Sequence, residues 1–456
     1  MTGETEGFFV RWDLDTDYLL SPKLARMQND PLRLSKQILS GELSMKDRPP
    51  VSILGSTELS EVADGIGFVE SFANVVALRA DAESAGGDSS ELVLVDAASP
   101  FHATAVHSAI RDWTQAPLSV VVFTHGHVDH VGGVGEFEAE ADAGPVRVIA
   151  HENLPLRFDR YSLTSGYNGI INQRQFQLGA PLFPTEFRYP DQTYVEQFSL
   201  PFGGENLELF HDKGETDDAT WVWSPERRVL CTGDLFIWVA PNCGNPQKVQ
   251  RYPVEWAAAL RKMASLNAEL LLPGHGLPIA GADQIRVVLT ETAEFLESLC
   301  AQTLELMNAG ARLDELIHTV TPPAHLTDRP WLQPTYDDPE FVVHNLWRLY
   351  GGWYDGNPAT LKPAPEAALA QEIADLAGGA SVLATRAAEL SAAGEHRLAG
   401  HLAELAALAA PADPGIHAVR AEVFGTRAGL ERSLMSQGVF KWAEHESRKI
   451  ADSPKD

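Results

Sequence analysis

The chain has 456 residues, 44% of them hydrophobic and 21% charged, a globular composition too long for one core, so two or three domains are expected. Its 63 acidic residues against 35 basic ones give a formal net charge of −28, which repels phosphate backbones and argues against nucleic-acid binding. The three cysteines, Cys231, Cys243 and Cys300, form no disulfide framework, the N-terminus lacks a basic region, and no apolar run is long enough to cross a membrane; a cytoplasmic location with no membrane partner is expected.

Residues 1–50 carry no clear pattern. Residues 51–125 read as strands and turns. Phe68 to Leu78 alternates loosely, and Glu91-Leu92-Val93-Leu94-Val95-Asp96 is a short run of buried-strand type. Ala103 to Trp113 reads as helix. Leu118-Ser119-Val120-Val121-Val122-Phe123 is another buried strand and runs directly into a histidine cluster. The segments 207–211, 219–223 and 228–232 are strands separated by Gly, Asp and Pro turns, with His211 and Cys231 on them. Val254 to Leu266 fits a helix, and Leu270-Leu271-Leu272 a strand that opens into Pro273-Gly274-His275-Gly276. Strands with interspersed helices, and polar motifs at the strand ends, predict a layered α/β domain.

After about residue 283 the pattern changes. Ile285, Val288, Leu289, Thr292, Phe295, Leu296, Leu299 and Leu306 fall at helical spacing, with Gly310 as the stop. Residues 311–365 are rich in prolines and aromatics, among them Trp331, Trp347 and Trp353, and Trp353 is expected to pack a domain junction. From Pro365 the chain is Ala/Leu/Glu-rich and is cut by Gly378-Gly379, Gly394 and Ala410-Pro411 into antiparallel helices. The expected division is a catalytic domain over 1–283 and an all-helical domain over 284–456.

Thr124-His125-Gly126-His127-Val128-Asp129-His130-Val131-Gly132-Gly133 places imidazole and carboxylate ligands within six positions, directly after a buried strand. Such donors suit zinc, iron or manganese. This run resembles the signature of the metallo-β-lactamase superfamily, which implies an αββα sandwich and further ligands downstream. Asp234, after the strand 229–232, looks like the family's bridging aspartate, and His275 like its final histidine. The third motif of the family is usually Gly-His-Thr, whereas this chain has Gly214-Glu215-Thr216. Either Glu215 replaces the histidine or His211 takes its place from a shifted position; the flanking Gly and Thr favour Glu215. The resemblance then implies two metal ions, expected to be zinc with iron or manganese as alternatives. His125, His127 and Glu215 would hold the first, and Asp129, His130 and His275 the second. Asp234 would bridge them. Asp129 and Asp234 are the expected catalytic carboxylates, orienting a metal-activated water or hydroxide.

A carboxylate in the third motif resembles the alkyl sulfatase branch of the superfamily. Tyr350-Gly351-Gly352-Trp353-Tyr354-Asp355-Gly356-Asn357-Pro358, preceded by His344-Asn345, resembles the start of the helical dimerisation domain of that branch and implies a homodimer. Two features depart from it: Asp234 stands where such enzymes have a second glutamate, and the chain is expected to lack their sterol-carrier-like third domain and secretion signal. For substrate contacts, Arg174 in the insert Tyr167–Phe176 is a candidate partner for an anionic group, and Asn242, Asn245 and Arg251 lie on a loop expected to rim the pocket. Cys243 on that loop is expected to be a surface thiol. The chain is therefore expected to be a dinuclear hydrolase of a small-molecule ester, an alkyl sulfate first and a lactone, thioester or phosphoester otherwise. An iron-dependent oxidoreductase resembling persulfide dioxygenases is the rival from another class.

Overall fold

The computed structural model describes residues 30–44, 56–81, 90–140 and 144–453. Among these residues the strands form two sheets. The first contains β1 (Leu59–Ala63), β2 (Ile66–Val69), β3 (Val75–Ala80), β4 (Glu91–Val95), β5 (Leu118–Val122), β6 (Arg147–His151) and β7 (Gln192–Tyr194), in sequential order. Its first half is an antiparallel meander, and β4 to β7 are parallel. The second sheet contains β8 (Gln197–Phe202), β9 (Glu205–His211), β10 (Thr220–Ser224), β11 (Val229–Gly233), β12 (Leu270–Pro273) and β13 (Ile279–Ala280), also in order, antiparallel except between β11 and β12.

The period of two along each strand assigns side chains to layers. Val93, Val95, Val120 and Val122 face inward and meet Leu207, Leu209, Val222 and Cys231 of the second sheet. Their neighbours Leu92, Leu94, Val121 and Val148 face outward, onto Val106 and Ile110 of the helix Ala103–Trp113 and Leu154 and Phe158 of the helix Leu154–Leu163. On the opposite side Trp221, Leu230 and Leu271 pack against Trp256 and Leu260 of the helix Pro253–Ala264, and against Val288, Leu289 and Phe295 of the helix Ala282–Asn308. Helices thus cover both sheets, the αββα order that the resemblance implied, followed by a helical C-terminal region.

The boundary expected at 283/284 lies in the first turn of the helix Ala282–Asn308, whose buried face joins the core of the second sheet. That core continues through Leu316, Trp331, Val342 and Leu346. Separate small cores begin only in the helices beyond residue 366. There Ala374, Ala384, Ala387, Ala399, Ala403 and Ala406 let the helices Glu366–Ala377, Ala380–Ala392, His396–Ala409 and Pro414–Leu430 approach closely. The last helix, Leu434–Ala451, packs on the helix Ser165–Phe176, into which the insert folds. Gly438 makes that contact, because a Cβ there would lie 2.6 Å from the Gln175 carbonyl oxygen.

Two expectations are corrected. Cys243 is fully buried rather than a surface thiol, because the segment around Asp337 and Val342 covers its loop. Trp353 is 70% exposed and packs no junction; the neighbouring Trp347 donates instead to the Tyr354 carbonyl, which closes a local turn.

Candidate metal centre

The carboxyl ends of β4, β5, β9, β11 and β12 lie along one edge of the sandwich, where the chain leaves each strand through a polar loop. In α/β architectures this is where ligand sites form. Asp96 follows β4, His125 to His130 follow β5, Glu215 lies between β9 and β10, Asp234 follows β11, and His275 follows β12.

The structure brings these residues together. Ligand atoms of His125, His127, Glu215 and Asp234 lie within 4.8 Å of one another, and so do those of Asp129, His130 and His275. His125 Nε2 is 2.8 Å from His127 Nδ1 and 3.6 Å from Asp234 Oδ2, and His127 Nδ1 is 3.8 Å from Glu215 Oε1. Asp129 Oδ2 is 3.7 Å from His130 Nε2 and 3.5 Å from His275 Nε2. Asp234 lies between the two groups, with Oδ1 3.4 Å from His130 Nε2 and Oδ2 3.4 Å from His275 Nε2. Ligands about 2.0–2.1 Å from a tetrahedral ion stand ~3.3 Å apart, so these spacings fit a cation at each centre.

Further observations support that fit. His130 Nε2, Glu215 Oε2 and Asp234 Oδ1 are buried with no hydrogen-bond partner. Burial drives the His127 imidazole well below its usual range, with the His125 charge adding to the effect. Burial and then His130 take His125 down to about 3. Glu215 is pushed up to about 7 by burial, an effect that Arg251 opposes and Asp234 reinforces. Burial alone would lower His130, yet Asp234, Asp96 and Asp129 hold it well above the usual imidazole range. His125 and His127 are thus neutral donors, while Glu215 and His130 draw positive charge that divalent cations would supply in place of protons.

The ligands are held from behind. Asp96, itself at a φ of 63°, accepts the Thr124 backbone N–H at 2.7 Å, the Thr124 hydroxyl at 2.8 Å and His130 Nδ1–H at 2.7 Å. That last bond fixes the tautomer and leaves Nε2 free. His275 Nδ1 donates to the Phe72 carbonyl in the same way. Asp218 accepts the Gly126 N–H at 3.0 Å and Arg157 Nε at 3.0 Å, tying the turn of the motif to the helix Leu154–Leu163. Gly133 is sterically required, because a Cβ would lie 2.1 Å from the Ala97 carbonyl oxygen; at Gly274 it would lie 2.2 Å from Asp234 Oδ1. His211 belongs to neither group. It donates to the Ala219 carbonyl at 2.8 Å and stacks on His151, with ring centroids 3.5 Å apart and planes at 14°.

A cleft with about 760 Å³ of free space opens beside the cluster. Phe72, Phe176, Phe183 and Ile237 give it apolar walls, and Asn242, Asn245, Lys248 and Arg251 a polar end. Arg251 Nη1 lies against Glu215 Oε1, to which Asn242 also donates. Arg174 does not line this cleft; it donates to Gln247 at 3.1 Å. Sequence reasoning passed over Lys248, although it sits between Asn245 and Arg251. Burial and the Arg251 charge push its amine down to about 8. It also passed over Asp96, Arg157 and Asp218, of which only Asp96, an acid closing an apolar strand, left a visible signal.

Residues 80–275 match the metallo-beta-lactamase superfamily, and residues 312–449 match the alkyl sulfatase dimerisation family. Residues 80–275 are thus similar to members of the metallo-β-lactamase superfamily. Within it the chain resembles the alkyl sulfatase branch, helical dimerisation region included. A linear primary-alkylsulfatase from Pseudomonas sp. is 28% identical over 334 residues, 68% of this chain and 62% of that protein. An (R)-specific secondary-alkylsulfatase from Pseudomonas sp. is 26% identical over 358 residues, 71% of this chain and 54% of the relative. The chain therefore spans less than two thirds of the length of these curated relatives. Among solved structures, the stereoselective inverting sec-alkylsulfatase Pisa1 from Pseudomonas sp. superposes with a TM-score of 0.76 at 22% identity, covering 86% of this chain and 66% of that one. This likeness is one of fold.

Proposed function

We propose that the chain is a dinuclear metal-dependent hydrolase of alkyl sulfate esters. One observation carries the reading: a cluster of metal-competent side chains opens directly into a cleft with a cationic end and aromatic walls. A sulfate ester of an apolar alcohol has the matching distribution, a charged head and a water-avoiding tail. The relatives bearing the alkylsulfatase name support the same choice.

In this reading His125, His127 and Glu215 would hold one ion and Asp129, His130 and His275 the other, with Asp234 shared between them. Zinc fits the imidazole-rich donor set best, with iron or manganese as alternatives. When bound, such a pair supplies acidified water at neutral pH and neutralises charge that develops on the ester. The chain's own residues do the rest. Asp96 and the Phe72 carbonyl hold His130 and His275 in the tautomers that leave Nε2 free. Asp129 and Asp234 orient the attacking water by accepting its hydrogens. Arg251 and Asn242 grip Glu215 Oε1, the oxygen nearest His127, and leave Oε2 buried without a partner. Phe72, Phe176, Phe183 and Ile237 keep bulk water from the alkyl chain.

The test is turnover of a linear alkyl sulfate by the purified protein before and after chelation. Hydrolysis that chelation abolishes and zinc restores is expected. Turnover of a lactone or thioester with none of the sulfate ester would move the reading to another ester.

Two further parts belong to this proposal. The helical region forms a homodimer: Leu369 and Leu376, a helical heptad apart, are 54% and 88% exposed, and Val382 and Leu398 on the next helices are also exposed. Light scattering should give about twice the 49.7 kDa chain mass, and a monomer would count against the pairing. The location is cytoplasmic, a reading supported by cysteines that are all free; cell fractionation would check it. No helix among the described residues is long and apolar enough to cross a membrane.

A further inference from the structure

A protein with a net charge of −28 has to attract an anionic substrate with a local positive centre. Most polar side chains around the cleft are already committed to other groups. Arg251 lies against Glu215, and Asn242 donates to the same carboxylate. Asn245 accepts the Gln247 N–H at 3.0 Å and turns its amide nitrogen to Met435 Sδ at 3.1 Å. Gln175 donates to the Tyr336 hydroxyl at 3.1 Å.

Lys248 differs from all of these. It is half-buried and lines the cleft beside His127, Asp129 and His275, yet its ammonium has no hydrogen bond and no ion pair among the described residues. A partly desolvated cation without a partner is unfavourable, and a ligand of opposite charge removes that cost. The position of Lys248 is also fixed. Its backbone N–H donates to the Asn245 carbonyl at 3.2 Å, and Arg174 holds the preceding Gln247 side chain. The loop therefore presents the amine to the cleft from a braced turn.

We propose that Lys248 is the anion anchor of the cleft. Its ammonium pairs with the free oxygens of a sulfate monoester and gives such an ester preference over a neutral one, while the apolar chain lies along Phe72, Phe176, Phe183 and Ile237. The ester preference rests on the hydrolase reading above; the anion site itself does not.

Lys248→Met and Lys248→Gln remove the charge, and Lys248→Arg keeps it. Calorimetric titration of the metal-loaded proteins with inorganic sulfate reads the site directly, and KM for a linear alkyl sulfate reads it in turnover. Loss of a charge-assisted hydrogen bond should weaken sulfate binding and raise KM about tenfold or more in both neutral variants. Metal content and Tm should stay at wild-type values, and Lys248→Arg should recover most of the loss. Wild-type sulfate affinity in a folded neutral variant overturns the assignment, as does a wild-type protein that binds no sulfate. If the wild type binds sulfate through Lys248 but hydrolyses no sulfate ester, the hydrolase reading falls and the anchor stands.

Discussion

Asp337 shows how one buried carboxyl couples the cleft to the helical region. It accepts the Gly244 backbone N–H while its other oxygen has no partner, and burial pushes its carboxyl up to about 7. An unfolded aspartate titrates at about 3.9. Between roughly pH 4 and 7 the folded chain therefore holds a proton that the unfolded chain has released. Stability from this group is complete below that window and is lost as pH rises through it. Asp337→Asn retains an acceptor for Gly244 and does not titrate. The wild type should lose more Tm than this variant between pH 5 and pH 8. Parallel losses in the two proteins would contradict the assignment.

At the scale of residues, the sequence displayed the candidate metal cluster well and the polar end of the cleft poorly. The histidines and Asp129 are contiguous and follow a buried strand, so composition and spacing expose them together. Glu215, rather than His211, faces His127, while His211 is drawn into a stack with His151. Nothing local to either residue discloses that partition. Arg174 and Arg251 read as free cations because their partners, Gln247 and Glu215, are distant in sequence. Lys248 was passed over because having no partner is a property of the folded chain.

Among elements, the loop from Ala240 to Arg251 is decisive. Ala240 N–H donates to the Gln333 carbonyl at 3.0 Å, the Asn345 side chain accepts the Arg251 N–H at 3.1 Å, and its amide donates to the Arg251 carbonyl at 3.0 Å. A segment within the dimerisation match thus braces the polar end of the cleft. A Cβ at Gly244 would lie 2.1 Å from the Phe341 carbonyl carbon, so the loop has no room to shift toward that segment. Gly244→Ala should cost about 1–3 kcal/mol by overpacking and should raise KM for an alkyl sulfate. A variant with wild-type Tm and KM would show that this bracing is dispensable. Element limits were legible where the pattern was strong: the helix Ala103–Trp113 was read in full, and Val254 to Leu266 became Pro253–Ala264. The helix Ser165–Phe176 was not visible, because its glycines and asparagines lack a helical stripe and packing on the last helix supports it.

For the whole molecule, a layered α/β domain followed from strand and helix alternation and the αββα order from the family resemblance, whereas the junction with the helical part followed from neither. The helix Ala282–Asn308 has the periodicity of a bundle helix but buries its face on the second sheet, and periodicity alone does not name the partner surface. In the proposed centre two divalent cations would more than balance the three carboxylates of Asp129, Glu215 and Asp234. Metal content should therefore control both the charge of the cleft and turnover. The most direct measurement is the hydrolysis rate of a linear alkyl sulfate by chelated protein as zinc is added back in known equivalents. Activity that rises to a plateau at about two zinc ions per chain is the predicted result. A plateau at one ion, or hydrolysis that persists in the chelated protein, would contradict a dinuclear centre built on His125, His127, Asp129, His130, Glu215, Asp234 and His275.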